Sequence, residues 1–317
     1  MTEPEASRRQ PLNQTRPFPG PYSYAEADKD FFKGRPDETA DLLRLIRRHT
    51  LAVLYGASGL GKSSLLRAGV FPKLPALDFF PVVVRLKFDI RKDQAESLDL
   101  QRQIMAGVRD AAAEHEIEAE DAEDKRTLWE FFRSVELWSK KAAMLTPVIV
   151  LDQFEEVFTL GATSEPARKA VGQLFVAIGD LVENRVPESL RSDHHEGLRS
   201  LEDRPALVKV VLSLREEYLP HLDAYRREVR SIGSQRMRLL AFAGDRGAEA
   251  ILESAPHLLN EDVARSVVRG VAGVRKAEGA PSAKSKRKSK RKSKRKSANG
   301  ASLLPPPPLE DLQIEPS

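Results

Sequence analysis

Gly56-Ala57-Ser58-Gly59-Leu60-Gly61-Lys62-Ser63 matches G-x-x-x-x-G-K-[ST] at every fixed position, and its surroundings suit the chemistry of that pattern. The preceding Leu51-Ala52-Val53-Leu54-Tyr55 is a short apolar run of the kind that forms a buried strand. The following Lys62-Ser63-Ser64-Leu65-Leu66-Arg67-Ala68 is rich in good helix formers. A strand, a glycine-rich turn and a helix start together make a phosphate cradle. Gly56, Gly59 and Gly61 permit backbone angles and close approaches that a Cβ would block. The N–H groups of the turn and the positive end of the helix dipole then face a polyphosphate. In that arrangement Lys62 reaches the β/γ-phosphates and the Ser63 hydroxyl ligates Mg²⁺. A chance glycine turn would need neither the strand before it nor the helix after it, so the segment predicts a nucleoside triphosphate site.

Outward from the loop, more elements of the same layout are legible. A helix is expected over 36–49, with Pro36, Asp37 and Glu38 in its first turn and Arg47, Arg48 and His49 at its end. Leu42, Leu43 and Ile46 form its apolar stripe. Further strands are expected over 81–87, 147–152, 207–214 and 237–242, with a helix over 165–185. Continuous apolar strands separated by helices predict an α/β fold, a three-layer domain with a parallel sheet covered on both faces. Ligands of such sheets bind at the carboxyl ends of the strands, where strand order reverses. Residues 92–146 read as helical, with Trp129, Phe131, Phe132 and Trp138 at helical spacings as core rather than as a base-stacking platform. His194 and His195 lie in a polar loop and lack the spacing of metal ligands.

Composition divides the chain further. It has 317 residues, 41% of them hydrophobic, enough for a sizeable core. The net charge of +4 is misleading, because residues 284–297 carry ten Lys/Arg and no acid; without them 41 basic residues face 47 acidic ones, a net of −6. The tail repeats Ser-Lys-Arg-Lys three times from Ser285 and leads to Pro305-Pro306-Pro307-Pro308. A block of like charge cannot pack and is expected to be disordered. The expected organisation is a flexible leader over 1–23, a nucleotide-binding domain over 24–243, a short partial helical region over 244–276 and a basic, proline-rich tail over 277–317. There is no cysteine, no signal-peptide pattern and no apolar run near the ~20 residues of a membrane span. A cytoplasmic protein is expected.

Asp152 ends an apolar strand, where a carboxylate can hold the Mg²⁺ shell opposite Ser63. Either Glu155 or Glu156 could position or deprotonate an attacking water, or both could be helix-start acids. Arg215, at the end of its strand, either stabilises γ-phosphate charge or pairs with Glu216 or Glu217. The expectation is that Glu156→Gln keeps nucleotide binding and loses turnover.

These segments, with Phe31-Phe32-Lys33-Gly34-Arg35, Leu151-Asp152-Gln153-Phe154-Glu155-Glu156-Val157-Phe158 and Ser213-Leu214-Arg215-Glu216-Glu217-Tyr218-Leu219, resemble the STAND NTPases, and more narrowly the "novel STAND" module of bacterial signalling proteins. The resemblance covers about residues 22–275. It implies that Phe32, Gly34 and Arg35 line the adenine site. It also implies that residues Gly56, Ala57, Ser58, Gly59, Leu60, Gly61, Lys62, Ser63 and Ser64 hold the phosphates, with Ser63 and Asp152 at Mg²⁺. Glu155 or Glu156 is then catalytic and Arg215 is the sensor arginine. It further implies a slowly hydrolysing ATPase switch that ADP keeps closed and that ATP opens and oligomerises. A winged-helix module and a repeat-built sensor normally follow in such proteins. Residues 312–317 resemble the lead-in to a further family helix, so a truncated product, a fragment or a separately encoded remainder is expected.

Two other readings share these residues. The first is a non-hydrolysing nucleotide-binding or nucleic-acid-associated scaffold, in which residues 284–297 hold phosphates by salt-dependent attraction. The tail could equally be an inert linker, since no aromatic side chains interleave to stack bases, or could attract an anionic membrane surface. The second is a small-molecule kinase, which the Asp-Gln-Phe-Glu-Glu segment and the lack of an evident lid disfavour.

Overall fold

The computed structural model describes residues 11–88, 99–191, 201–202, 204–271 and, for backbone only, 313–314. The expected features at His194 and His195, the basic run 284–297 and Pro305 to Pro308 lie outside the described residues. Two compact units divide between Leu240 and Ala241, three residues before the expected boundary.

The first unit is built on β1 (Leu51–Gly56), β2 (Phe79–Val84), β5 (Thr146–Leu151), β6 (Lys209–Arg215) and β7 (Arg236–Arg238). They form one parallel sheet in the order β2-β5-β6-β1-β7. From β1 the chain crosses to the far edge at β2, returns through β5 and β6 to the side of β1, then crosses to β7 on the other side. Strand order therefore reverses at β1, and ligands of open α/β sheets bind outside the carboxyl ends of the strands at such a point. Alternate strand residues separate the faces. Leu51, Val53, Val82, Val84, Ile149, Leu151, Val210, Leu212 and Leu214 belong to one buried cluster with residues of α3 (Leu100–Glu114), α4 (Leu128–Ser134) and α6 (Glu165–Val182). Against β1 on the opposite side lie α1 (Pro36–Arg48) and α2 (Lys62–Ser64), the latter continuing as a π-helical segment, Leu65–Val70.

Local signals explain these elements. Pro36 opens α1, acids fill its first turn and arginines its last, while Thr39, Leu42 and Ile46 are buried and Leu43 only partly so. Asp99 caps α3 by accepting from the N–H groups of Gln101 and Arg102, and Thr127 and Ser164 cap α4 and α6. Residues 11–23, expected to be a flexible leader, include a local turn in which the Asn13 carboxamide accepts from the Thr15 and Arg16 N–H groups.

The expected helix over 92–146 is corrected. Helix α3 stops at Glu114, and β3 (Glu118–Glu120) pairs antiparallel with β4 (Glu136–Trp138). Glu116 takes φ 54°, and the N–H groups of Glu116 and Ile117 return to the carbonyls of Ala113 and Ala112. This is a complete left-handed helix stop with glutamate where glycine is usual, so the sequence carries no glycine signal. Trp129, Phe131 and Phe132 are core residues as expected, but Trp138 lies on a strand. The fifth sheet strand is also shorter than expected. Leu239 still donates its N–H to the Tyr55 carbonyl (2.7 Å), Leu240 is exposed, and Phe242 belongs elsewhere.

The second unit contains β8 (Phe242–Ala243), paired antiparallel with β9 (Gln313–Ile314). Two further helices follow β8, Gly244–Ser254 and Glu261–Val271, and Phe242, Ala248, Ala264 and Val268 form its core. No described helix is long and apolar enough to cross a membrane.

Candidate functional site

The loop between β1 and α2 is shaped by its glycines. Gly59 and Gly61 adopt φ 82° and 84°, the left-handed region that favours glycine. At Gly56 the constraint is space, since an added Cβ would lie 2.5 Å from the Leu239 carbonyl oxygen and 3.2 Å from Leu60 Cδ1. Ala57 is half-buried, Ser58 and Gly59 are exposed, and Leu60 is buried as the anchor of the turn. Lys62 folds back over the loop and donates to the carbonyls of Gly56 and Ala57, both at 2.9 Å. Burial pushes its ammonium below the ordinary 10.5. The Glu155 carboxylate opposes that shift, Arg215 adds to it and Asp152 opposes it.

The two halves of the expected site meet above β6. Strands β1 and β5 are not neighbours, because β6 runs between them. Ser63 Oγ nevertheless donates to Asp152 Oδ2 at 2.9 Å. The other oxygen, Asp152 Oδ1, accepts from the Gln153 N–H at 3.0 Å. Gln153 takes φ 54°, and the Phe154 N–H donates to the Ser213 carbonyl (2.8 Å), pinning the turn after β5 onto β6. Phe154 is buried and meets Phe158 and Phe175 edge to face, which fixes the start of α5 (Glu155–Gly161).

That turn sends the two glutamates to different places. Glu155 is buried and bridges Arg215, with Arg215 Nε 3.1 Å from its carboxylate and the Arg215 N–H 3.3 Å from the other oxygen. Glu156 points to the end of β2 instead, where Arg85 meets it at 2.5 Å with both side chains partly exposed to water. Arg215 lies beside Gly56 in the β1–β6 register. It pairs with neither Glu216 nor Glu217 as the alternative expected; Glu216 takes Arg238 at 2.9 Å.

The segment expected at the adenine lies along α1 and α2. Phe32 meets Tyr24 edge to face and approaches Gly69, where an added Cβ would be 3.1 Å from its ring. Gly34 takes φ 80°, and Arg35 is buried with its guanidinium 2.7 Å from Glu38. Ser64 is buried, and its hydroxyl accepts from the Tyr24 N–H at 3.1 Å, which ties this segment to the phosphate loop.

Three residues of this neighbourhood were not singled out from sequence. Tyr24 and Arg85 act through distant partners that no local pattern announces. Ser213 had a visible signal, a lone hydroxyl within the apolar run Val210-Val211-Leu212-Ser213-Leu214. It is 1% exposed, and its Oγ has no hydrogen-bond partner among the described residues.

The left-handed glycines, the Ser63–Asp152 oxygen pair and an unsatisfied hydroxyl on the intervening strand fit a magnesium nucleotide, because Mg²⁺ takes hard oxygen ligands and keeps several waters.

The family model for Novel STAND NTPase 1 matches residues 17–277. No curated protein matches the chain. Among solved structures it is similar to the ORC2 protein of Aeropyrum pernix in its ADPNP-ADP complexes, at 14% identity and a TM-score of 0.50, covering 80% of this chain and 60% of that one. It is also similar to the Walker-type ATPase PABY2304 of Pyrococcus abyssi, at 13% identity and a TM-score of 0.43 over 76% and 66% of the two chains. A third similar structure is Cdc6p of Pyrobaculum aerophilum, at 16% identity and a TM-score of 0.43 over 81% and 58%. The chain thus spans less than two thirds of the length of each. At these identities the ORC2 likeness concerns the fold alone.

Proposed function

We propose an activity from one established premise: the chain belongs to the Novel STAND NTPase 1 family and is a P-loop NTPase. It binds ATP and ADP with Mg²⁺, hydrolyses ATP slowly, and serves as a nucleotide-dependent signalling switch. The Ser63–Asp152 hydrogen bond is the observation that carries this reading, because it joins the phosphate loop to the acidic strand end across an intervening strand.

Within that reading the backbone N–H groups from Gly59 to Ser64 receive the phosphates, and Lys62 leaves the carbonyls of Gly56 and Ala57 for the β/γ oxygens. Phe32, Gly34 and Arg35 border the base. Ser63 and Asp152 would hold Mg²⁺, which when bound would supply charge neutralisation to the phosphates. Arg215 turns from Glu155 to the γ-phosphate, and the freed Glu155 takes a proton from a water whose oxygen bonds to the γ-phosphorus. The bond from that phosphorus to the β-bridging oxygen breaks, and ADP and phosphate leave. Slow turnover is consistent with Glu155 being held by Arg215 at the start, because only the fraction of molecules with this pair open is competent. A γ-phosphate that competes for Arg215 also gives ATP and ADP different contacts, which a switch requires.

Phosphate release from ATP, together with particle size measured with ADP and then with a non-hydrolysable ATP analogue, tests the switch. Phosphate release from ATP, with assembly in the analogue and none in ADP, is expected. Equal size with both ligands and no phosphate release would refute it.

The ten cations of residues 284–297 favour a second role, holding a nucleic acid without sequence preference. Deleting the run should abolish duplex binding at low salt, and unchanged binding would exclude it.

A further inference from the structure

Ser213 is a buried hydroxyl that the proposed reaction does not use. Among the valines and leucines of β6, an unsatisfied buried hydroxyl is destabilising and calls for an explanation. Its position supplies one. Ser213 pairs with Leu54 in the β1–β6 register, and on the other side Leu151 pairs with Leu212, so Asp152 follows at the level of Ser213. Leu212 and Leu214 belong to the cluster shared with α3, α4 and α6, so Ser213 projects to the opposite face, the side of α2. The Ser63–Asp152 hydrogen bond crosses β6 on that side and at that level. The unpartnered hydroxyl thus lies beneath the oxygen pair that would hold the cation.

We infer that Ser213 is a positioning residue for Asp152: its hydroxyl donates to the Asp152 carboxylate when a divalent cation engages Ser63 and Asp152, and so orients that carboxylate. This rests on the magnesium–nucleotide site proposed above. Groups that orient metal-binding carboxylates typically change metal affinity by about tenfold or more when removed. The contribution of Ser213 should therefore appear in the Mg²⁺ requirement and not in metal-free nucleotide binding.

The test titrates Mg²⁺ against a fixed concentration of fluorescent, non-hydrolysable ATP analogue, and repeats analogue binding in chelator. Wild type is compared with Ser213→Ala and with Ser213→Thr and Ser213→Val, which share one shape and differ in the hydroxyl. The expected result is a Mg²⁺ midpoint raised about tenfold in Ser213→Ala and Ser213→Val, near wild type in Ser213→Thr, with chelator affinity unchanged in all. If the Ala variant were poorly folded, the Thr and Val variants would still isolate the hydroxyl. Midpoints within twofold across all four proteins, or an equal loss in chelator, would overturn the role of Ser213. Failure of the wild type to bind the analogue would instead overturn the site on which the inference rests.

Discussion

Changing Glu155 to glutamine should stop turnover while leaving nucleotide bound, and the same change at Glu156 should not. Glu155 is buried beside Lys62, and its carboxylate touches Arg215 at 3.1 Å. Glutamine keeps the shape and can still accept from Arg215, but it cannot take a proton. A positioned general base contributes about 10²–10⁴-fold, so phosphate release should fall by at least about 100-fold, roughly 2.7 kcal/mol of barrier. Nucleotide affinity should stay within about threefold, because an acid near the phosphates has been neutralised and no binding group removed. Glu156 differs in kind. Its pair with Arg85 is solvent-exposed, and such pairs contribute about 0–1 kcal/mol, so Glu156→Gln should alter turnover by less than about threefold. This reverses the expectation from sequence, which placed the loss at Glu156. Single-turnover phosphate release at saturating ATP, with affinity measured separately by fluorescence, separates the two. A collapse of turnover in Glu156→Gln with near-normal turnover in Glu155→Gln would refute the geometry on which the assignment depends.

Other perturbations test neighbouring parts of the site. Arg215→Ala should reduce the preference for ATP over ADP by about tenfold or more, since charged hydrogen bonds contribute about 1.5–3 kcal/mol, with ADP affinity nearly unchanged; calorimetry with both nucleotides checks this. Gly56→Ala should cost about 1–3 kcal/mol of stability in denaturant titrations, because the new Cβ meets the Leu239 backbone oxygen at 2.5 Å. For Lys62, the folded-state pKa lies below the ordinary 10.5, so the native state binds fewer protons than the unfolded one beneath that value, and stability rises with pH there. Without nucleotide, Lys62→Met should therefore gain most over wild type near neutral pH, with the difference narrowing toward pH 10. A pH-independent difference in unfolding free energy would contradict this.

The nucleotide-binding half of the fold was legible because its signals are local. Apolar runs marked all five sheet strands, and the spacing of glycines, lysine and serine placed the loop between a strand and a helix. The order of the strands was not legible, since pairing β6 between β1 and β5 depends on contacts distant in sequence. The end of α3 was hidden by Glu116, a left-handed stop without glycine, and that hid the β3–β4 hairpin. The places of Asp152 just after β5 and of Arg215 at the end of β6 were legible from the apolar runs that precede them. The separate ion-pair partners of Glu155 and Glu156 were not, because they follow from the left-handed Gln153 and the Phe154–Ser213 hydrogen bond. Ser213 was written in the sequence as one hydroxyl among aliphatics, but its meaning required the register of β6 with β1 and β5.

The most direct test of the nucleotide site is calorimetric binding of Mg²⁺–ATP to wild type and Lys62→Ala under identical conditions. Lys62 is the one side chain of the phosphate loop that carries a positive charge, and loss of a charged hydrogen bond to phosphate, about 1.5–3 kcal/mol, should weaken binding by about 10–100-fold or more. Saturable binding by wild type with that loss in the variant is the predicted result. Equal affinity in the two proteins would contradict the assignment of residues 56–63 as the triphosphate site.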